Sequence, residues 1–202
     1  MYPAADFPIG RWRMGCIMRI LVLNGRSSST GSRLDSWIAR YLAKIREEER
    51  GDEVEVVDLR SLDIRTCTGC WTCWWATPGR CAFRDGMAGL YPKVIAADLV
   101  VWAVPLVLGA QNALVKKAQD RLIPLLHPYI ELVAGESHHR RRYAHYPDIA
   151  LVVEPGPGDG EDDLAIVRGL FERFALNFRS RLSFFATTHD DTEEAADETR
   201  SA

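Results

Sequence analysis

Four cysteines fall within one short segment of this chain, at Cys67, Cys70, Cys73 and Cys81. The two-residue spacing of the first three lets their thiolates converge on one centre, and the fourth can complete the coordination. Four thiolates suit a [4Fe–4S] cluster or a zinc ion. The repeated short spacing is closer to the bacterial ferredoxin run than to a zinc finger, which separates its two cysteine pairs widely. A set of unligated thiols, some of them paired reversibly, is the alternative.

Tryptophans interleave these cysteines, at Trp71, Trp74 and Trp75. Their rings are suited to shielding a metal centre from water or to stacking on a flat cofactor ring, and packing at a subunit contact is the alternative. We find no export signal, and we therefore expect a cytoplasmic protein. Disulfides are uncommon in that reducing compartment, which favours a metal-binding or redox role for the clustered thiols.

A polar segment, residues 24–33, is the second candidate for chemistry. It joins an apolar run to a helical pattern, and its hydroxyls and backbone N–H groups at the start of a helix suit an anion such as phosphate. It matches neither the dinucleotide fingerprint nor the P-loop. Ordinary helix capping by Ser and Thr is the alternative. The candidate ligands are Arg26, Ser28, Thr30, Gly31, Ser32 and Arg33.

Two further patterns are less specific. The basic run 138–143, with His145, is suited to a nucleotide phosphate or a metal, or it is a solvated loop or subunit contact. Glycines at 156, 158 and 160 alternate with prolines, which predicts a turn. No nucleophile-elbow motif of a hydrolase is present, and we assign no catalytic side chain.

The candidate residues must be positioned by alternating strands and helices. Apolar runs predict five strands, at Arg19–Asn24, Val54–Leu59, Asp98–Val104, Ile149–Val153 and Leu182–Ala186. Helical stripes of apolar residues lie between them, at 34–45, 87–95, 112–126 and 164–174. We expect Pro105 to end the third strand and residues 135–147 to form an excursion. The alternation predicts an α/β three-layer sandwich of the flavodoxin-like type, with a five-stranded parallel sheet in the order 2-1-3-4-5.

The bulk composition excludes some classes of function. The chain has 202 residues and a formal charge of −3, which gives no reason to expect a nucleic-acid partner. No apolar run reaches the roughly 18 residues of a membrane span. We interpret residues 1–17 as a disordered extension, residues 18–188 as one domain, and residues 189–202 as an acidic tail that frays or forms a short helix.

The cysteine segment also resembles a known family. Residues Cys67 to Cys81, followed by Arg84-Asp85-Gly86-Met87, are similar to NAD(P)H-dependent FMN reductases and iron–sulfur flavoproteins of the multimeric flavodoxin group. The strand before Pro105, the segment Pro105 to Gly109, and the pairs Lys116-Lys117 and Asp120-Arg121 are similar as well. The resemblance covers roughly residues 19–187.

This resemblance implies a flavin enzyme. Residues 26–33 would hold the FMN phosphate, and the ring would lie beside Pro105, Leu106, Val107, Leu108 and Gly109. NAD(P)H would reduce the flavin, which passes electrons to an acceptor that the sequence does not identify. A homodimer or homotetramer is implied, and the four cysteines would hold a [4Fe–4S] cluster. The alternatives are an electron carrier without NAD(P)H reductase activity of its own and a flavin-free binding relative.

Three features depart from the family pattern. The first loop of the family commonly begins Gly-Ser-Pro-Arg, whereas here Arg26 stands at the Ser position and Ser28 at the Arg position. The ring loop usually has an aromatic residue after its proline, whereas here Leu106 follows, which stacks less well. The chain continues only briefly after the fifth strand, so we expect the last helix to be short or missing.

Overall fold

The computed structural model describes residues 17–26, 32–47, 51–190 and 192–201. The predicted extension lies outside these ranges except for Ile17. Three of the predicted phosphate ligands also lie outside them, namely Ser28, Thr30 and Gly31. The domain boundaries at residues 18 and 188 stay predictions.

Strands and helices alternate along most of the chain. In chain order the elements are β1 Arg19–Asn24, α1 Arg33–Glu47, β2 Glu53–Asp58, α2 Thr72–Trp75, α3 Met87–Ala96, β3 Leu99–Val107, β4 Ala110–Gln111, α4 Ala113–Asp120, β5 Leu126–Val133, β6 Glu136–Arg141, β7 Asp148–Glu154, α5 Glu161–Asn177, β8 Leu182–Thr187 and α6 Thr192–Ser201. Short 3-10 turns lie at Leu59–Ser61 and Ile123–Leu125.

Five parallel strands form the central sheet in the order β2-β1-β3-β7-β8. This confirms the predicted flavodoxin-like order, with β7 and β8 as its fourth and fifth strands. Helices cover both faces, because the inner strands are apolar on both sides. On one face Leu21 and Leu23 pack in a core with α3, α4 and α5, and on the other Ile20 and Val22 pack with α1 and α6.

The third strand is longer than predicted. Pro105 does not end β3, which continues to Val107 and turns into the short antiparallel strand β4. Pairing with β1 stops at Ala103, so the later positions of β3 have lost that neighbour. A proline is tolerated at such an edge because no ladder hydrogen bond is required there on that side.

The region after α4 also differs from the prediction. The helix ends at Asp120 rather than near residue 126, and the expected excursion is part of a β-hairpin made of β5 and β6. Its two-residue turn, Ala134-Gly135, has φ values of 50° and 81°, which match the twist of a tight hairpin. Charged residues in both strands mask the alternation that would have predicted it.

The acidic segment after β8 forms α6, which packs against α1. Ala195 and Ala196 are buried in the same core as Trp37, and the hydroxyls of Tyr41 and Thr199 are hydrogen bonded at 2.9 Å. The last helix of the fold is therefore present. Within the described ranges, no helix combines the length and apolar composition that crossing a bilayer requires.

A close backbone contact at Gly25 joins the ends of β1 and β3. The N–H of Gly25 donates to the Ala103 carbonyl at 2.8 Å, and its carbonyl accepts from Asn112 Nδ2 at 2.7 Å. A Cβ atom at this position would lie 2.2 Å from Val115 Cγ2. Only glycine allows this approach, which brings the predicted phosphate loop and the start of α4 together at the carboxyl edge of the sheet.

Candidate functional site

The first wall of the candidate site is the loop between β1 and α1. Within it, the Arg26 guanidinium pairs with Asp35 at 2.5 Å and with Asp58 at 3.2 Å. These two carboxylates neutralise its charge and turn it toward β2. Arg26 therefore fixes the base of the loop and is not a free cation for a phosphate.

The other described residues of this wall contact a carboxylate from β7. Ser32 Oγ donates to Glu154 Oε2 at 2.7 Å, and the Arg33 backbone N–H donates to Glu154 Oε1 at 3.3 Å. The Arg33 guanidinium reaches Glu154 Oε1 at 3.4 Å and the Pro155 carbonyl at 2.6 Å. The Glu154 carboxylate thus lies at the start of α1, next to the predicted position of the phosphate.

The second wall is the turn between β3 and β4, where the flavin ring is expected. Leu106 is buried, whereas Val107 is 55% and Leu108 is 97% exposed. Leu108 and Gly109 have φ values of 53° and 73°. The left-handed region costs a leucine about 1 kcal/mol. An apolar side chain that is both strained and exposed is typical of a surface that another group covers.

Asp159 connects this turn to the loop after β7. Its carboxylate accepts from the N–H of Gly109 at 3.0 Å and from the N–H of Gly156 at 2.7 Å. The loop 154–160 therefore contacts both walls, through Glu154 at one and Asp159 at the other. The sequence predicts neither carboxylate, because an acidic residue in a Gly- and Pro-rich turn carries no specific signal.

The four predicted cysteine ligands line one cavity of about 460 Å3 in the loop that follows β2. Cys73 is buried, Cys70 is exposed, and Cys67 and Cys81 are half-buried. The described residues contain no group of three His, Cys, Asp or Glu side chains arranged around a single metal ion. The geometry therefore supports neither zinc nor the predicted [4Fe–4S] cluster, although it does bring all four thiols to one cavity.

The electrostatics of the four thiols differ. Burial raises the pKa of Cys73, and the charges of Cys81, Cys67 and Cys70 raise it further. Hydrogen bonds from Thr72 lower the pKa of Cys70. Cys73 thus lies within electrostatic range of each of the other three thiols.

Trp74 fixes the cysteine segment to the hairpin base. Its indole N–H donates to the carbonyls of Leu126 at 3.1 Å and Ile123 at 3.3 Å. The Trp74 ring also contacts Trp71 and His139, at centroid distances of 4.9 and 5.0 Å. Trp74 therefore forms a wall of the cavity, whereas Trp75 is exposed.

The residues of the basic run 138–143 do not form one binding site but have separate structural roles. His138 is buried and contacts Asn177 of α5 at 3.2 Å. Arg142 donates to the carbonyls of Pro124 and Leu126, both at 3.1 Å. These contacts hold the hairpin on the domain, while Arg141 and Tyr143 remain exposed.

A buried ion pair positions the segment that carries the cysteines. Arg121 binds Asp85 with two hydrogen bonds, of 2.7 and 3.0 Å, and both side chains are 1% exposed. Arg121 also donates to the Arg65 carbonyl at 2.7 Å, and Asp85 accepts from the N–H groups of Arg65 and Met87. The pair therefore joins the residues before and after the cysteines to the end of α4.

The environment of Asp85 favours its charged form. Burial alone raises the pKa of this carboxyl group. Hydrogen bonds from Arg121, Arg65 and Met87, together with the guanidinium charge, outweigh burial and hold the pKa below its ordinary value. The ion pair therefore stabilises the fold fully above the unfolded-state pKa of about 4, and this contribution is lost as the pH falls through the lower folded-state pKa.

We predict that Asp85→Asn lowers the free energy of unfolding by about 3 kcal/mol at neutral pH, because it leaves the Arg121 charge buried and unpaired. Urea unfolding from pH 7 to pH 2.5 measures this. The difference from wild type should shrink as the pH falls below about 4. Asp120→Asn is the matched control, since its pair with Lys116 is exposed and worth well under 1 kcal/mol. Equal losses in the two variants, or a pH-independent difference, would contradict this assignment.

Comparison with known proteins gives the chain its family. An iron-sulfur flavoprotein from Archaeoglobus fulgidus is 39% identical over 80 residues, which are 40% of this chain and 36% of that protein. A second iron-sulfur flavoprotein from the same organism is 28% identical over 104 residues, which are 52% and 48% of the two chains. This chain thus spans less than half the length of the curated relatives it matches.

A similar solved structure, NAD(P)H:quinone oxidoreductase from Methanothermobacter marburgensis, has a TM-score of 0.63 at 14% identity and covers 92% of this chain and 91% of its own. Likeness at that identity supports the fold alone. The family model described as NADPH-dependent FMN reductase matches residues 18–158, which are well over half of the chain. The chain therefore belongs to the NADPH-dependent FMN reductase family.

Proposed function

We propose that this chain is an FMN-dependent oxidoreductase that takes electrons from NAD(P)H and passes them to an acceptor. The observation that carries the proposal is that the family match, residues 18–158, includes both walls of the candidate site. The walls lie at the carboxyl ends of β1 and β3, beside the point where the strand order reverses. Ligands of doubly wound folds bind in this crevice.

The residues present fit the flavin, although an acidic side chain lies at the phosphate end. Ser32 and Arg33 supply donors there, and the other predicted ligands, Ser28, Thr30 and Gly31, lie outside the described residues. Glu154, the partner of Ser32 and Arg33, adds a negative charge that the phosphate would meet. At the ring end, the exposed side chains of Val107 and Leu108 offer an apolar surface for the flavin.

FMN supplies the redox step when bound, accepting a hydride from the nicotinamide and releasing electrons to the acceptor. The chain has to bind, orient and shield the flavin. Gly25 keeps the two walls close, Asp159 fixes the turn that would hold the ring, and the exposed Leu108 would shield the ring from water. No side chain is required as an acid or base, and we assign none.

We further propose that the cysteine cavity holds a [4Fe–4S] cluster, which when bound supplies single-electron transfer. Two observations support this. The four thiols line one cavity with Trp71 and Trp74 in its wall, and the relatives from Archaeoglobus fulgidus are named iron-sulfur flavoproteins. Cys67, Cys70, Cys73 and Cys81 would be the ligands, and Arg121, paired with Asp85, lies in the same cavity wall.

Assembly as a homodimer or homotetramer is also part of this proposal. One face of the β5–β6 hairpin exposes Ile130 and Leu132, which are 55% and 76% accessible. Ile130 pairs across the strands with His139, whose ring contacts Trp74. These exposed apolar side chains, beside the cavity wall, support burial against another copy.

We predict that the chain reconstituted with FMN is bleached near 450 nm by NADPH or NADH under anaerobic conditions. The absorbance spectrum, followed in a stopped-flow instrument, measures this. Leu108→Asn should bind FMN about fivefold more weakly, because asparagine accepts the left-handed turn but offers less apolar surface. Bound flavin that no nicotinamide nucleotide reduces would favour an electron carrier, and a chain that binds no FMN would exclude the flavin enzyme.

For the cluster, we predict about four irons and four acid-labile sulfides per chain after anaerobic purification. Cys70→Ala should lose most of the iron. Cys16→Ala should lose none, because Cys16 lies outside the segment 67–81 in the sequence. Metal analysis and the visible spectrum measure this. Iron-free wild-type protein with titratable thiols would contradict the cluster and leave the flavin proposal intact.

A further inference from the structure

We propose that Glu154 is a specificity-determining residue, whose carboxylate competes with the flavin phosphate for the donors at the start of α1. This inference rests on the proposed function, because it concerns the same flavin site. It assigns a role to a residue that the cysteine and ring-loop motifs do not include.

The geometry places a negative charge where a phosphate would need positive charge. Both carboxylate oxygens of Glu154 are used, one by Ser32 Oγ at 2.7 Å and the other by the backbone N–H and guanidinium of Arg33. Its side chain is only 20% exposed, so water screens the charge incompletely. The carboxylate thus occupies hydrogen-bond donors of the kind that a phosphate oxygen requires.

Arg33 is held in this arrangement by more than one contact. Besides its bonds to Glu154, its guanidinium donates to the Pro155 carbonyl at 2.6 Å and contacts His189 Nε2 at 3.1 Å. The cation is therefore directed toward the end of β7. A phosphate that recruits Arg33 has to share it with Glu154 or displace the carboxylate.

Arg26 does not compensate for this competition. It is neutralised by Asp35 and Asp58, so neither described arginine of the loop is a free cation. A flavin phosphate carries a charge between about −1.5 and −2. The Glu154 carboxylate repels this charge, and solvent screens the repulsion only in part. Riboflavin has the same ring without the phosphate and does not experience this repulsion. Wild-type chain should therefore prefer FMN over riboflavin by a smaller factor than a variant that lacks the Glu154 charge.

Glu154→Gln tests the proposal, because glutamine keeps the size of the side chain and an acceptor oxygen for Ser32. We expect its dissociation constant for FMN to fall about tenfold, and that for riboflavin to change less than twofold. Quenching of flavin fluorescence at constant ionic strength measures both. Glu161→Gln is the matched control, since it removes an equal charge from an exposed position at the start of α5, and it should leave both constants unchanged.

Each outcome decides the question. Unchanged or weaker FMN binding by Glu154→Gln would overturn the inference while leaving a flavin-binding wild type intact. Equal tightening for FMN and riboflavin would overturn it too, because the effect would then not depend on the phosphate. A chain that binds neither flavin in any variant would overturn the proposed function and this inference together. A smaller effect at 1 M salt supports the electrostatic cause, because screening weakens repulsion.

Discussion

The close passage of the Gly25 backbone between β3 and α4 is the constraint on which the candidate flavin site depends. The hydrogen bonds of Gly25 to Ala103 and Asn112 leave no room for a side chain. Asn112 in turn accepts from the Val115 N–H and so begins α4 directly beside the loop. The two walls are therefore held together by the Gly25 backbone and the Asn112 side chain, before any ligand contributes.

The loop after β7 connects the two walls of the flavin site, whereas other residues support the cysteine cavity. Glu154 and Asp159 connect that loop to both walls, so their charges influence any ligand bound there. The cysteine segment depends instead on the buried Asp85–Arg121 pair and on Trp74. Because the supports are distinct, the chain can retain one site when substitutions remove the other.

The sequence predicted the strands because each is a short apolar run, as in Leu21 to Leu23, and their alternation with helices predicted the flavodoxin-like order. The cysteine motif likewise located one cavity, since closely spaced thiols must lie near one another. The hairpin was missed because Glu131 and His138 interrupt its apolar alternation. The pairing of Arg26 with Asp58 and of Arg33 with Glu154 was also missed. Ion pairs between residues distant in sequence depend on strand register and on side-chain conformation, which no local pattern encodes.

Hydrogen exchange of the chain with and without FMN tests most directly whether the flavin binds between these two walls. Saturating FMN should slow exchange in peptides that cover residues 24–34 and 105–113, because the ligand would order both walls at once. Peptides from the β5–β6 hairpin, residues 126–141, should be unchanged at a fixed oligomeric state. Protection confined to the cysteine segment, residues 67–81, or absent from both walls at saturation, would contradict binding at this edge of the sheet.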